Sequence, residues 1–152
     1  MSPSLTTRPL RNTRVRRVAI MLAGLGIVVG ASACNAAQQP REDFFYVNRT
    51  RVTQGVGQLG WNPQLADKAQ QWAQHMADTN TLSHSSLTDG VGGGWSTLGE
   101  NVGTGGQVVD VHNGFMNSPE HRDNIMAGKY SSMGVGVAQS NGRVWVVEEF
   151  EG

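Results

Sequence analysis

The hydrophobic positions of the chain predict helices over most of its length and a pair of strands near its end. The clearest helical repeat is formed by Leu65, Ala69, Trp72 and Met76, which recur at i, i+4, i+7 and i+11. Asn62 followed by Pro63 is typical of a helix start, because asparagine caps free N–H groups and proline loses no hydrogen bond at the first position. A helix is therefore predicted to begin at Pro63.

Weaker patterns predict three further helices and three strands. The other predicted helices span residues 42–53, 107–117 and 119–126. Two strands, 133–139 and 144–150, are joined at Asn141-Gly142, a strong hairpin signal, and are expected to be antiparallel. A strand around Glu100 lies between glycine-rich runs and is expected to be short and central. These elements predict an α/β fold, a three-layer α-β-α sandwich around a small, mainly antiparallel sheet.

The first 33 residues are interpreted as an export signal that precedes the folded domain. Five arginines come before an uncharged, apolar run from Val18 to Ala33 that is shorter than a membrane span. Cys34 follows the small residues at the end of this run. Ordinary signal-peptidase cleavage with free secretion and lipidation of Cys34 are both open, and we favour the lipoprotein. Residues 34–41 then form a short tether, and residues 42–152 form the domain.

Export changes the charge of the protein. The whole chain has 12 basic and 12 acidic residues, and removal of the five signal arginines leaves a net charge of about −5. This balance argues against nucleic-acid binding and against docking on anionic lipid. We expect a monomer that touches the membrane only through a lipid anchor on Cys34. Because Cys34 is the only cysteine, no internal disulfide is possible.

One carboxylate and two imidazoles form the main candidate site. His84 lies in Leu82–Ser85, Glu100 lies in Gly99–Val102, and His121 follows Ser118-Pro119. The Ser-Pro pair predicts that His121 lies in the first turn of a helix, where the helix dipole lowers imidazole basicity. Metals bind the neutral imidazole. We therefore expect His84, Glu100 and His121 to form the floor of a surface cleft.

The other two histidines are not assigned to this cleft. His75 falls beside the apolar stripe of its helix, and His112 lies on the third predicted helix. Both are expected to be exposed or half-buried. Asn101 and Asn124 are expected to be structural, because amides near element ends often bond to the backbone.

Eight segments in order resemble one protein family. They are Asn48 with Arg51; Leu59, Trp61 and Leu65; Ala69–Met76; Leu82–Ser85; Gly99–Val102; Ser118–Ile125; Met133–Val137; and Trp145–Phe150. Together they resemble the CAP superfamily of cysteine-rich secretory proteins, antigens and pathogenesis-related proteins, in its disulfide-free bacterial branch with an SCP-like domain. The resemblance covers residues 42–152. It implies an α-β-α sandwich whose central cleft is lined by two histidines and acidic residues and binds divalent metal in some members.

The resemblance places three residues in the cleft and leaves a fourth position open. His84, Glu100 and His121 match three of the four cavity positions. In eukaryotic members a glutamate follows a helix aromatic by three residues, and counting from Phe115 gives Ser118 here. Glu120 is nearby but in a different register.

The residues and the resemblance leave three functions open. We favour a non-catalytic binding module of the cell envelope, exported and extracellular, whose cleft holds a divalent cation (Zn, Mg or Ca), a small polar ligand or an envelope component. A lipid or sterol binder is the second, although the loop over residues 87–96 is mostly polar. The third is a hydrolase of peptides or envelope polymers that uses His84, Glu100 and His121 with a metal or a serine. The chain has no Gly-x-Ser-x-Gly turn to expose a nucleophile, and a purely structural role for the trio also stays open.

Overall fold

The structure is a computed structural model that describes residues 30–152, with side chains from residue 38 onward. Most of the predicted export signal lies outside this range, and the Cys34 side chain lies outside the described side chains. The signal and the lipid anchor therefore stay predictions. Within residues 30–152, no helix combines the length and the apolar character that a membrane crossing requires.

Four helices and four strands make up the described chain. In chain order they are α1 (Gly30–Thr53), β1 (Gly60–Trp61), α2 (Pro63–Thr79), β2 (Leu98–Gly105), α3 (Val108–Asn117), α4 (Pro119–Met126), β3 (Ser132–Ser140) and β4 (Arg143–Glu151). The strands form one sheet in the order β1-β3-β4-β2, in which only β1 and β3 are parallel. One apolar cluster packs α2 against the sheet, and another packs α1, α3 and α4 against the opposite face. The predicted three-layer sandwich is confirmed.

Helix α2 begins where its sequence predicted. The Asn62 side chain accepts hydrogen bonds from the backbone N–H groups of Gln64 at 2.9 Å and Leu65 at 3.3 Å. Glycines at 134 and 136 in β3 face this helix, and a Cβ at either position would collide with α2 backbone. The helix therefore lies directly on the sheet, which fixes its side chains relative to β4.

Helix α4 is tied to α1 by a buried arginine. Arg51 Nη1 donates to the carbonyl oxygens of Ile125 at 2.7 Å and Ala127 at 3.0 Å, while Nε donates to Gly57. These bonds satisfy carbonyl groups at the C-terminal end of α4, which have no partner within the helix. Their effect is to hold α4, and with it His121, against the rest of its layer.

Strand β2 lies at an edge of the sheet, so the expectation that it is central is wrong. The middle positions belong to the β3–β4 hairpin, and the two-residue strand β1 covers the far side of β3. A strand this short has too few residues for an alternating pattern, so it cannot be predicted from the hydrophobic positions. The edge position leaves Glu100 within reach of the segment between α2 and β2.

The β3–β4 hairpin sets the register that builds the two clusters described below. Asn141 and Gly142 both have positive φ, at 52° and 72°, as a type I′ turn requires. On β4, Glu148 pairs with Asn101 of β2, and Glu149 pairs with Glu100. Because consecutive strand residues point to opposite faces, Glu149 and Glu100 face the α2 layer, and Glu148 and Asn101 face the α1 layer.

Candidate functional site: a histidine–glutamate cleft and a buried Asp–His–Glu cluster

His84 and Glu100 are in direct contact. His84 Nδ1 lies 2.6 Å from Glu100 Oε1, and the backbone N–H of Ser85 donates to both Glu100 oxygens, at 3.0 and 3.2 Å. The Glu100 carboxylate is almost fully buried, whereas the His84 side chain is 62% exposed. The carboxylate therefore holds one imidazole nitrogen, and the other faces solvent.

A second carboxylate lies beneath Glu100. Glu149 forms an ion pair with Lys68 of α2, and Lys68 Nζ also donates to Ser85 Oγ at 2.9 Å. Burial raises the pKa of Glu149 to about 7, and the neighbouring Glu100 adds to this increase, while Lys68 opposes it. Ser85 thus connects the loop to both carboxylates, which fixes the loop that carries His84.

His121 approaches from the other helical layer, at the outer edge of β2. The Asn101 side chain donates to the His121 carbonyl oxygen at 3.1 Å. The His121 ring packs on the Phe115 ring, with centroids 4.9 Å apart. Partial burial lowers the pKa of His121, and the nearby His84 lowers it further, while Glu120 opposes both. The two rings therefore influence each other electrostatically, and His121 favours the neutral form that binds metals.

A surface groove of about 420 Å³ adjoins His84 and Glu100. Its wall also includes Ser85, Leu87, Leu98, Gly99, Asn124, Lys129 and Tyr130. Asn124 donates to the Glu100 carbonyl oxygen at 3.2 Å, which closes the β2 edge against α4. Such side-chain to backbone bonds are the structural role expected for Asn124 and Asn101.

Ser118 and Glu120, the two candidates for the fourth position of the cleft, lie at the start of α4. Ser118 is its N-cap residue and Pro119 its first residue, as predicted, but the Ser118 side chain makes no capping hydrogen bond. Glu120 is exposed. Neither residue lines the groove beside His84 and Glu100.

The structure brings His84 and Glu100 into contact, but His121 does not line the groove beside them. Among the described residues, the group of three whose ligand atoms all lie within 4.8 Å of one another is a different one. Both Glu100 oxygens are already hydrogen-bonded to His84 and Ser85. Metal binding by the trio stays a prediction.

That other group is Asp43 of α1, His112 of α3 and Glu148 of β4, on the opposite face of the sheet. All three are buried, with exposures of 0%, 5% and 0%. The expectation that His112 is exposed or half-buried is therefore wrong. His112 lies four residues after Val108 and three before Phe115, within the inward-facing stripe of α3, and this spacing could have revealed it.

The buried cluster has an unfavourable charge balance. Burial raises the pKa of Asp43 to about 7 and raises the pKa of Glu148, which also feels the negative charge of Asp43. Burial lowers the pKa of His112. All three groups are thus driven towards their neutral forms, and among the described residues no lysine or arginine forms a salt bridge with either acid.

Comparison with known proteins agrees with this architecture. Residues 44–150 match the family described as CAP, the cysteine-rich secretory protein family. The chain is 33% identical over 107 residues to the uncharacterized protein YkwD of Bacillus subtilis, covering 64% of this chain and 41% of YkwD. It is 28% identical over 89 residues to pathogenesis-related leaf protein 6 of Solanum lycopersicum, covering 59% of this chain and 49% of that protein. The chain thus spans less than half the length of these relatives.

Solved structures share the fold. An extracellular protein with an SCP domain from Bacillus anthracis superposes with a TM-score of 0.68 at 27% identity, covering 76% of this chain and 41% of that one. An outer surface protein from Borrelia burgdorferi gives a TM-score of 0.63 at 17% identity, covering 73% and 92%. The latter likeness concerns the fold alone.

The fold defines the class as an α-β-α sandwich with a four-stranded mixed sheet. The family match covers most of that sandwich. The chain belongs to the CAP family, and the predicted resemblance is confirmed.

Proposed function

We propose that this chain is an exported, non-catalytic binding module of the cell envelope. In this proposal, the cleft at His84, Glu100 and His121 holds a divalent cation or a small polar ligand. The observation that supports it best is the contact between the exposed His84 ring and the buried Glu100 carboxylate.

Glu100 is suited to positioning His84. A carboxylate bonded to Nδ1 favours the tautomer with a proton on Nδ1, so that Nε2 offers a lone pair to solvent. Metal-ligating histidines commonly donate their second ring nitrogen to a carboxylate in this way. The arrangement fits a cation held by the His84 and His121 rings, with Glu100 orienting the His84 ring, better than one held by three protein ligands. A bound cation would supply a fixed positive charge for a polar or anionic partner.

Hydrolysis by a serine has less support. Ser85 Oγ bonds to Lys68 and Glu149 rather than to an imidazole. Among the described hydrogen bonds, none joins a serine hydroxyl to His84 or His121. Such a bond is the usual signature of a histidine that activates an adjacent nucleophile.

Location outside the cell is supported by the predicted export signal and by the family. The matching family is described as secretory, and the structural relative from Bacillus anthracis is an extracellular protein. We propose that Cys34 carries the lipid anchor that keeps this chain at the envelope. Mass spectrometry of the mature N-terminus separates an acylated Cys34 from a free end.

Zinc titration by calorimetry tests the cleft. Glu148→Gln serves as the background, because it removes an acid of the buried cluster, keeps an acceptor for Asn101 and makes no direct contact with His84, Glu100 or His121. The background protein is expected to bind Zn²⁺, and adding His84→Ala with His121→Ala is expected to abolish that binding with an unchanged circular dichroism spectrum. His75→Ala is the matched control and should bind as the background does.

Binding that survives the double histidine change would overturn the cleft as the cation site. If the background takes up no Zn²⁺, Mg²⁺ or Ca²⁺, the cation part of the proposal is wrong. A lipid-binding function would instead appear as extraction of labelled sterol or fatty acid by the purified protein.

A further inference from the structure

The buried cluster of Asp43, His112 and Glu148 lies away from the cleft. Its members come from three elements, α1, α3 and β4, which meet on the face of the sheet opposite Lys68 and Glu149. One ligand atom from each lies within 4.8 Å of the other two. Metal–ligand bonds of about 2.0–2.2 Å span atom pairs up to about 4.4 Å apart, so small side-chain adjustments would close the site around an ion.

Most polar atoms that point into this cluster have no hydrogen-bond partner. They are both carboxylate oxygens of Asp43, Nδ1 of His112 and Oε1 of Glu148. Buried polar groups are nearly always satisfied, and unpaired buried charges are especially costly. The four atoms therefore leave the cluster with hydrogen-bonding and ligand capacity that a bound ion or a shared proton would use.

The remaining polar atoms of the cluster form hydrogen bonds with residues outside it, as the ligands of a metal usually do. Thr50 Oγ1 lies 3.0 Å from His112 Nε2, and Asn101 Nδ2 donates to Glu148 Oε2 at 2.8 Å. If Nε2 carries the proton and donates to Thr50, Nδ1 keeps its lone pair and faces the two acids. Such outer contacts orient the ligands of a metal and select their tautomer.

The charges of the cluster match a dication. Among the described residues, no lysine or arginine forms a salt bridge with Asp43 or Glu148. Two carboxylates and one neutral imidazole with a divalent ion give a neutral unit, which a low-dielectric interior tolerates best. A set of one nitrogen and two oxygens suits Zn²⁺ and its first-row neighbours better than Ca²⁺ or Mg²⁺, which prefer oxygen alone.

We propose that Asp43, His112 and Glu148 form a structural binding site for a divalent transition-metal ion, with Zn²⁺ as its representative. The ion joins α1 and α3 to β4 in the interior of the domain. With a single cysteine, this chain cannot form an internal disulfide, and a buried metal site is another way to cross-link a small exported domain.

A proton shared between the two acids is the competing explanation. One carboxylic acid facing one carboxylate would also relieve the repulsion and would need no metal. The two explanations differ in whether the purified chain takes up metal at these residues, so metal content separates them.

The experiment uses the full chain carrying His84→Ala and His121→Ala, so that the cleft contributes no metal. The protein is unfolded in urea with chelator and refolded with or without Zn²⁺, because the ligands are buried in the folded state. Metal content is measured by mass spectrometry after gel filtration. Refolding with Co²⁺ provides a second readout through the visible absorption of a bound ion.

About one equivalent of zinc per chain is expected, together with a rise in melting temperature of about 5 °C or more. Adding Asp43→Asn or Glu148→Gln, which keep side-chain shape, is expected to lower zinc content at least about tenfold. Glu149→Gln is the matched control, because it removes the neighbouring acid on the opposite face and should leave zinc content unchanged.

Two results would overturn the proposal. One is a chain that refolds to the same circular dichroism spectrum with Zn²⁺ or Co²⁺ present and retains neither metal. The other is metal retention that Asp43→Asn and Glu148→Gln leave unchanged. The first result would favour the shared proton, and it would leave the cleft proposal intact because the cleft histidines are absent from this background.

Discussion

Two neighbouring residues of β4, Glu148 and Glu149, belong to two clusters on opposite faces of the sheet. Each cluster buries a pair of acids, but the two clusters differ in how that negative charge is balanced. Glu149 and Glu100 bring two acids together on the α2 face, where Lys68 supplies an ammonium group and His84 reaches solvent. Glu148 and Asp43 bring two acids together on the other face, with a single buried imidazole. The Glu149–Glu100 pair depends on the register between β2 and β4, whereas Asp43 reaches Glu148 from α1.

This difference shows how burial changes the role of the same residue types. In the cleft, the exposed His84 ring can meet a ligand that arrives from solvent, while its acids are balanced by groups of the protein itself. In the cluster, nothing in the described chain balances the acids, and their charge must be neutralised by a proton or an ion. We therefore assign ligand exchange to the first region and structural cross-linking to the second.

Removing the Lys68 ammonium group, which distinguishes the two regions, should have the largest effect on the stability of the folded protein. Lys68→Ala leaves the buried Glu149 carboxylate without its ion pair, and we expect a loss of about 3 kcal/mol in the free energy of unfolding at pH 8. Urea unfolding of the parent and of Lys68→Ala at pH 8 measures this loss. The double change Lys68→Met with Glu149→Gln should restore most of this stability, because no buried charge remains. A loss below about 0.5 kcal/mol for Lys68→Ala would contradict the role given to this ion pair.

Removing an acid from the buried cluster should increase the stability of the metal-free protein. The pKa of Asp43 is raised from 3.8 to about 7, so between these values the folded state keeps a proton that the unfolded state releases. Stability therefore falls as pH rises through this window. Asp43→Asn removes this loss, and we expect it to be more stable than the parent by about 2 kcal/mol at pH 8, with little of this gain at pH 4.

Urea unfolding of both proteins in chelator at pH 4, 6 and 8 measures this difference. A difference that does not change with pH would show that Asp43 ionises normally in the folded protein. Zinc should reverse the order at pH 8, because only the parent keeps all three ligands.

Asn101 connects the two regions, and its loss should affect both. Its side chain donates to Glu148 and to the His121 carbonyl and accepts from Asn124. Asn101→Ala leaves these buried groups unpaired, at an expected cost of about 1.5 kcal/mol. A double-mutant cycle with Glu148→Gln should give a coupling of about 0.5 kcal/mol or more, whereas the same cycle with Glu149→Gln should be close to additive. Equal coupling to both acids would contradict the separation of the faces.

His84 should affect binding and leave stability nearly unchanged. Its side chain is 62% exposed, so His84→Ala is expected to change the free energy of unfolding by less than about 0.5 kcal/mol. Zinc affinity of the cleft, measured by calorimetry in the Glu148→Gln background, should fall at least about tenfold. His112→Ala should instead reduce stability, because it opens a space in the core. A large loss of stability in His84→Ala with an unchanged zinc affinity would contradict the role of His84 in binding.

The sequence predicted the elements that have strong local signals. Asn62-Pro63 located the start of α2, and Asn141-Gly142 located the hairpin, because capping and turn chemistry depend only on neighbouring residues. Strand β1 has two residues and no readable pattern. The edge position of β2 depends on how β1, β3 and β4 assemble, which local patterns do not contain.

The sequence also selected two residues that the fold does bring together, His84 and Glu100. It missed Lys68 and Glu149, because their contact depends on how α2 crosses the sheet and on the strand register. His112 lies on the inward-facing stripe of α3 and could have been recognised from periodicity. Glu148 could not, because both faces of β4 are buried and neighbouring residues of that strand look alike in the sequence.

Nitrogen NMR of the four histidine rings during a zinc titration of chain refolded without metal tests both regions in one sample. We predict that the ring nitrogens of His84 and His121 shift as the cleft fills, and that those of His112 shift only when the chain is refolded with zinc. His75, which is exposed and stacks on Trp72, should stay unchanged. Unchanged His84 and His121 signals at saturating zinc would contradict the proposed cation site of the cleft.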